Sequence, residues 1–166
     1  LIAAPRRLEQ SETIVHELPA LLDSAMAHFD AIVANTGANW GEQHAVLLER
    51  SSRALFLVDQ RASSLRACKH AVELCARCGI AASPFLFVAN RCSKRSLFSS
   101  IDVSCAMQGA HAAELKDGGV EVEQALGTGL AYDLVSSRNA FAQSVRDLMG
   151  EVVGEAAGSL ASSEES

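Results

Sequence analysis

Apolar residues along the chain fall in short unbroken runs that stop abruptly at polar residues, and the segments between the runs have the 3.6-residue apolar rhythm of helices. Three runs read as strands: FDAIVAN at the head of residues 29–41, ALFLVDQ at 54–60 and PFLFVANR at 84–91. LIAAP, residues 1–5, reads as the end of another strand. Helices are predicted over 11–28, 41–51, 63–78 and 136–153. The first is opened by Ser11 and Glu12, carries Ile14, Val15, Leu18, Leu21, Leu22 and Ala25 on one face, and meets Pro19, which would kink or split it. The second turns Val46, Leu47 and Leu48 inward. The third places Leu65, Cys68, Ala71, Val72 and Cys75 on one face and stops at Gly79. The last buries Phe141, Val145, Leu148 and Met149. Residues 100–108 read as a short helix or an irregular piece, and 120–126 as helical after the Asp117-Gly118-Gly119 turn.

Strand and helix therefore alternate. Repeated βαβ order with short connections predicts an α/β fold, a doubly wound and mostly parallel sheet with helices on both faces. Residues 1–153 read as part of one such domain, and 154–166, composed of small and acidic residues with one leucine, as a flexible acidic tail. In open sheets of this kind ligands meet the carboxyl ends of the strands, and this singles out the residues that follow each run. They are Asn35 and Gly37 after the first, Asp59 and Gln60 after the second, and Asn90 and Arg91 after the third. Asp59 and Gln60 read as capping or solvent-exposed residues. Asn35 has a competing explanation as the start of the turn before Gly37, and Asn90 as punctuation after a strand.

Composition narrows the function classes. A chain of 166 residues with 49% apolar residues suits one packed domain. A net charge of −6 disfavours general nucleic-acid or anionic-membrane binding, which needs clustered Lys and Arg, and the short group Arg91, Lys94 and Arg95 reads as a solvated loop. No apolar stretch approaches the roughly 20 residues that cross a bilayer, and no basic region precedes an apolar signal core. The expectation is a cytoplasmic protein without a membrane anchor. Cys68, Cys75, Cys78, Cys92 and Cys105 are scattered as packing thiols are, and Cys75-Ala-Arg-Cys78 stands at a helix end without a second such pair for zinc. The histidines have no metal-ligand spacing, so no metal centre is predicted. No G-x-S-x-G elbow is present, and Gly127-Thr128-Gly129 reads as a helix stop.

Taken in order, LIAAP, FDAIVANTG, ALFLVDQ, PFLFVANR and the closing ELKDGGVEVEQALGTG with SRNAFAQSVRDLM resemble the MinD/ParA class of deviant-Walker P-loop ATPases, and within it TadZ/CpaE proteins of tight-adherence pilus assembly. The resemblance covers residues 1–149. It implies a P-loop NTPase-like fold that binds ATP with magnesium, forms a nucleotide-sandwich homodimer, hydrolyses slowly and positions other machinery, here pilus or secretion proteins. It also implies that Asn90 reads the adenine edge, with Arg91 flanking the base, and that Asn35 stands near the magnesium shell beside Gly37.

Two departures qualify this. G-x-x-x-x-G-K-[ST] is absent, as is any Gly-Lys dipeptide, so this stretch carries no phosphate loop and alone is not expected to bind ATP tightly. Asn35 stands where the class usually has an aspartate whose charge supports magnesium, so hydrolysis is expected to be weak or lost. Three readings follow: the distal portion of a MinD/ParA-like ATPase whose phosphate loop lies upstream, a non-hydrolysing scaffold of the same fold, or an unrelated receiver-like α/β domain with Asp59 as the nearest acceptor.

Overall fold

The computed structural model describes residues 9–37 and 40–163, with side chains described over 15–37 and 40–154. Within these the elements run α1 (Glu9–Met26), α2 (Glu42–Arg50), β1 (Ala54–Val58), α3 (Ala62–Arg77), β2 (Phe85–Cys92), α4 (Ser100–Ala106), β3 (Ala112–Lys116), α5 (Gly119–Gly127), a 3-10 turn (Ala131–Leu134) and α6 (Ala140–Ser163). The strands form one parallel sheet in the order β1-β2-β3.

The central strand explains the layering. Phe85 to Ala89 of β2 are all buried, as an unbroken apolar run predicts for a strand covered on both faces. Phe85, Phe87 and Ala89 turn to one side, against Cys68 and Cys75 of α3 and Val103 of α4, with Met107 just beyond it. Leu86 and Val88 turn to the other, against Leu115 of β3 and Leu148 of α6. The fold is thus α/β, a parallel sheet with helices on both faces. The predicted inward face of α3 is the observed one, with Cys68, Ala71 and Cys75 buried.

The first predicted strand is not in the sheet. Residues 31–37 have no strand structure, and Phe29, Ile32 and Val33 are exposed, Val33 to 89%. An apolar run favours an extended backbone, but a strand also needs a ladder partner, and among the described residues β1 is paired on its β2 side alone. The segment is fastened to the sheet further along. Trp40 stacks on His44 at 5.0 Å and lies over Phe56 of β1 at 6.1 Å between ring centroids.

The third strand is instead β3, AAELK, which the apolar pattern passes over. Ala, Glu, Leu and Lys are helix formers, and pairing with β2 from Phe87↔Ala112 to Cys92↔Lys116 overrides that preference. Helix α1 continues through Pro19. Met149, predicted inward, is 38% exposed, while its neighbour Leu148 takes the buried position. The helical backbone of α6 runs on to Ser163, through residues read from the sequence as a tail. LIAAP lies outside the described residues.

Candidate functional site

The carboxyl ends of the three strands make one rim: Asp59 and Gln60 after β1, Asn90 to Cys92 closing β2, and Asp117 to Gly119 after β3. At its centre β2 is irregular. Ala89 pairs with Glu114 and Cys92 with Lys116, so one extra residue is accommodated on β2, and Arg91 takes φ +54°. A bulge of this kind re-aims side chains, and a non-glycine residue in the left-handed region costs about 1–2 kcal/mol and is held by its surroundings. Beyond the bulge, the Asp117 N–H donates to the Cys92 carbonyl at 3.0 Å and closes the strand pair. The Arg91 guanidinium lies 3.7 Å from the Glu123 carboxylate of α5.

Gln60 is built into this rim. Its Nε2 donates to the Asn90 carbonyl at 2.8 Å and to the Phe98 carbonyl at 3.2 Å, while its Oε1 accepts the Phe98 N–H at 2.9 Å. One carboxamide therefore pins the loop after β2 to the strand end. Asp59, which the sequence reads as capping or exposed, is 34% exposed in its side chain and pairs with Arg61 at 3.4 Å.

The third side is the Asp117-Gly118-Gly119 turn. Asp117 Oδ1 accepts the Gly119 N–H at 3.1 Å, and Gly119 has φ +61°, open to glycine without strain. Gly118 is needed for space, because a Cβ there would stand 2.2 Å from Val122 Cγ2. Asn139, at the start of α6, donates to the Gly118 carbonyl at 3.2 Å and to Glu121 at 2.6 Å, and its Oδ1 accepts the Phe141 N–H at 2.9 Å. Behind the rim, Glu114 of β3 accepts from the backbone and hydroxyl of Ser100 at 3.1 Å each and from Lys116 Nζ at 2.7 Å. The Lys116 ammonium and the Ser100 N–H hold its carboxyl below the usual range.

Of the predicted site residues, Asn90 and Arg91 stand at the rim. Asn35 and Gly37 do not join it through the sheet: both are exposed on the unpaired segment 31–37, and the Gly37 carbonyl accepts Nε2–H of His44 at 3.0 Å. Lys94 and Arg95 lie exposed in a turn closed by the Ser93 N–H on Ser96 Oγ at 2.6 Å. The sequence passed over the bridging role of Gln60 and the Arg91 partner Glu123. The position of Gln60 one residue past the strand-ending aspartate was the available signal for the first; for the second, none existed without the fold. Among the described residues no three or more His, Cys, Asp or Glu side chains are grouped to hold a metal ion, and no helix is long and apolar enough to cross a membrane.

Chemically the rim gathers the carboxamides of Gln60 and Asn90, the carboxylates of Asp59 and Asp117 and the Arg91 guanidinium, several of them already paired within the protein.

The fold is that of a ParA-like protein. The chain is similar to a ParA family ATPase from Chlorobium tepidum TLS, known from its crystal structure, with a TM-score of 0.78 and 18% identity over 89% of this chain. The match takes in 62% of that ATPase, so this chain spans less than two thirds of its length. No family model matches the sequence. No curated protein matches it either.

Proposed function

We propose that this chain, over residues 1–153, is the distal portion of an ATP-binding MinD/ParA-like positioning protein, with the adenine side of the nucleotide site at Asn90 and Arg91 and the phosphate loop upstream. The observation that carries this reading is the bulged rim at Asn90–Arg91 in a parallel sheet of ParA-like fold. Two further features agree with it. The match extends over 62% of the solved ATPase, and β1 leaves Leu55 and Leu57 exposed on a face that is buried one strand further in. When bound, ATP with magnesium would supply the dimer-forming ligand of the switch; the residues of this chain would contact the base and leave the phosphates to the upstream part. The role in pilus or secretion machinery, the homodimer and the cytoplasmic location rest on the TadZ/CpaE resemblance.

Asn35 favours a second reading of the same fold, a scaffold that does not hydrolyse, because a neutral amide gives no charge attraction to magnesium. The coding sequence upstream of Leu1 is the direct test. A glycine-rich loop ending in Gly-Lys-Ser or Gly-Lys-Thr is expected there, and a protein including it should bind ATP. Translation beginning near Leu1 would remove the nucleotide reading. With the loop present, ATP turnover that rises on Asn35→Asp would separate the scaffold from the hydrolysing switch.

A further inference from the structure

Gln60 makes contacts that neither the sequence pattern nor the likeness to a ParA family ATPase accounts for. Its carboxamide pairs with both the N–H and the C=O of Phe98, as the backbone of a neighbouring strand residue would, at 2.9 and 3.2 Å. Its second amide proton goes to the Asn90 carbonyl at 2.8 Å. Nε2 also lies 3.6 Å from Cys92 Sγ, on the far side of the bulge. Both amide protons and the amide oxygen are thereby used, and all the partners belong to β2 from Asn90 onward or to the loop that follows. The residue between Asn90 and Cys92 is Arg91, at φ +54°. Such a conformation persists where the surroundings over-determine it. Here the Gln60 carboxamide grips the peptide just before Arg91, the Ser96 hydroxyl donates to the Arg91 carbonyl at 3.4 Å, and the Asp117 N–H holds the Cys92 carbonyl one peptide further on.

We propose that Gln60 is a positioning residue for the candidate base site: its hydrogen bonds to the Asn90 carbonyl and to Phe98 fix the Asn90–Arg91 peptide, hold Arg91 in the left-handed conformation and so keep Asn90 in place at the rim. The conformational part stands on the contacts alone, and the link to a purine base rests on the reading of Asn90 and Arg91 given above. The Gln60 carboxamide is taken up by protein groups. It acts through the Asn90 peptide.

The experiment is nuclear magnetic resonance on the whole 166-residue chain, labelled with nitrogen-15 and titrated with adenosine, a probe that needs no phosphate loop. Gln60→Met keeps length and removes every hydrogen bond, and Gln60→Glu replaces the donating NH2 with an oxygen that repels two carbonyls. Both should shift the Asn90 side-chain and Arg91 backbone signals before any ligand is added, and weaken adenosine binding at least tenfold. Arg91→Gly added to Gln60→Met should return the Asn90 signals toward their original positions, because glycine enters the left-handed region without help. A merely structural loss would not be rescued this way. Asn90 and Arg91 signals that stay in place in a folded Gln60→Met variant would overturn the proposal. In the unsubstituted chain, the Phe98 N–H and the Gln60 side-chain amide should exchange slowly with solvent, and free exchange at both would overturn it without any variant. Adenosine that leaves the unsubstituted chain unmoved, while Gln60→Met still displaces Arg91, would support the positioning role and sink the nucleotide reading instead.

Discussion

His44 accepts the Gly41 N–H on Nδ1 at 3.2 Å and donates Nε2–H to the Gly37 carbonyl at 3.0 Å. Buried to 6% exposure under Trp40, it closes the first turn of α2 and ties down the end of the extended segment. His44→Ala removes both bonds and a stacked ring, and should cost about 1–3 kcal/mol of stability in a urea melt, while Glu42→Ala, exposed on the same turn, should cost under about 0.5 kcal/mol. A histidine in a segment of mixed polarity gives no advance sign of this. Its role depends on a carbonyl seven residues back that becomes a partner only after the turn has formed. The cysteines were more legible, because their helical and strand spacing already placed most of them among apolar neighbours. Burial pushes the Cys68 thiol up to about 11, and it raises Cys75 and Cys92 as well, whereas Cys78 and Cys105 are exposed. Thiolate is the reactive form, so a brief pulse of iodoacetamide at pH 7.5 on the native chain should label Cys78 and Cys105 and spare the other three, read by mass spectrometry.

Helix α4 is short, and its start is held by carboxylates. Ser99 and Asp102 form a capping box, with Asp102 Oδ2 accepting the Ser99 N–H at 2.8 Å and the Ser99 hydroxyl at 2.6 Å, and Glu114 reaches Ser100 from β3. Hydrogen bonds from Ser99 lower the Asp102 pKa, and those from Lys116 and Ser100 lower that of Glu114. A carboxylate with a lowered folded-state pKa contributes stability that is present above its unfolded value, about 4 for Asp and Glu, and is lost as pH falls through the folded value. The chain should therefore lose stability below about pH 4. Glu114→Gln and Asp102→Asn should each flatten the acid limb of stability against pH; an unchanged limb in both would mean that these bonds do not form in solution. The same region marks the limit of what the sequence reveals about elements. ALFLV and FLFVAN declare themselves as strands because an apolar run buried on one or both faces is visible in any register. AAELK does not, since its residue preferences point to helix and only the edge of β2 makes it a strand. FDAIVAN fails the other way, with the right residues and no ladder in the described sheet.

At the scale of the whole molecule, the face of the sheet beneath α6 is covered over β2 and β3, whereas the leucines of β1 on that face are exposed. Leu55 and Leu86 measure the difference, being the same residue type, paired in register on adjacent strands and turned to the same face. Leu86 is 5% exposed and packs with Leu115 and Leu148, whereas Leu55 is 41% exposed and Leu57, its neighbour on that face, 57%. Truncating a buried leucine removes apolar burial and leaves a cavity, so Leu86→Ala should cost about 2–5 kcal/mol. Leu55→Ala has much less burial to lose and should cost under about 1 kcal/mol in the 166-residue chain. The pair then becomes a gauge of the proposed longer protein. An upstream part that supplies the neighbouring layer of a ParA-like fold must bury Leu55, because a parallel sheet is stable with both faces covered. In a protein extended upstream of Leu1, Leu55→Ala should rise toward the cost of Leu86→Ala, with the cost of Leu86→Ala itself little changed. Chemical-denaturation curves of the two substitutions in both lengths of chain decide it. A Leu55→Ala cost that stays small in the longer protein would mean that whatever lies upstream does not pack on β1, and the distal-portion reading would fail on structural grounds, whether or not ATP is bound.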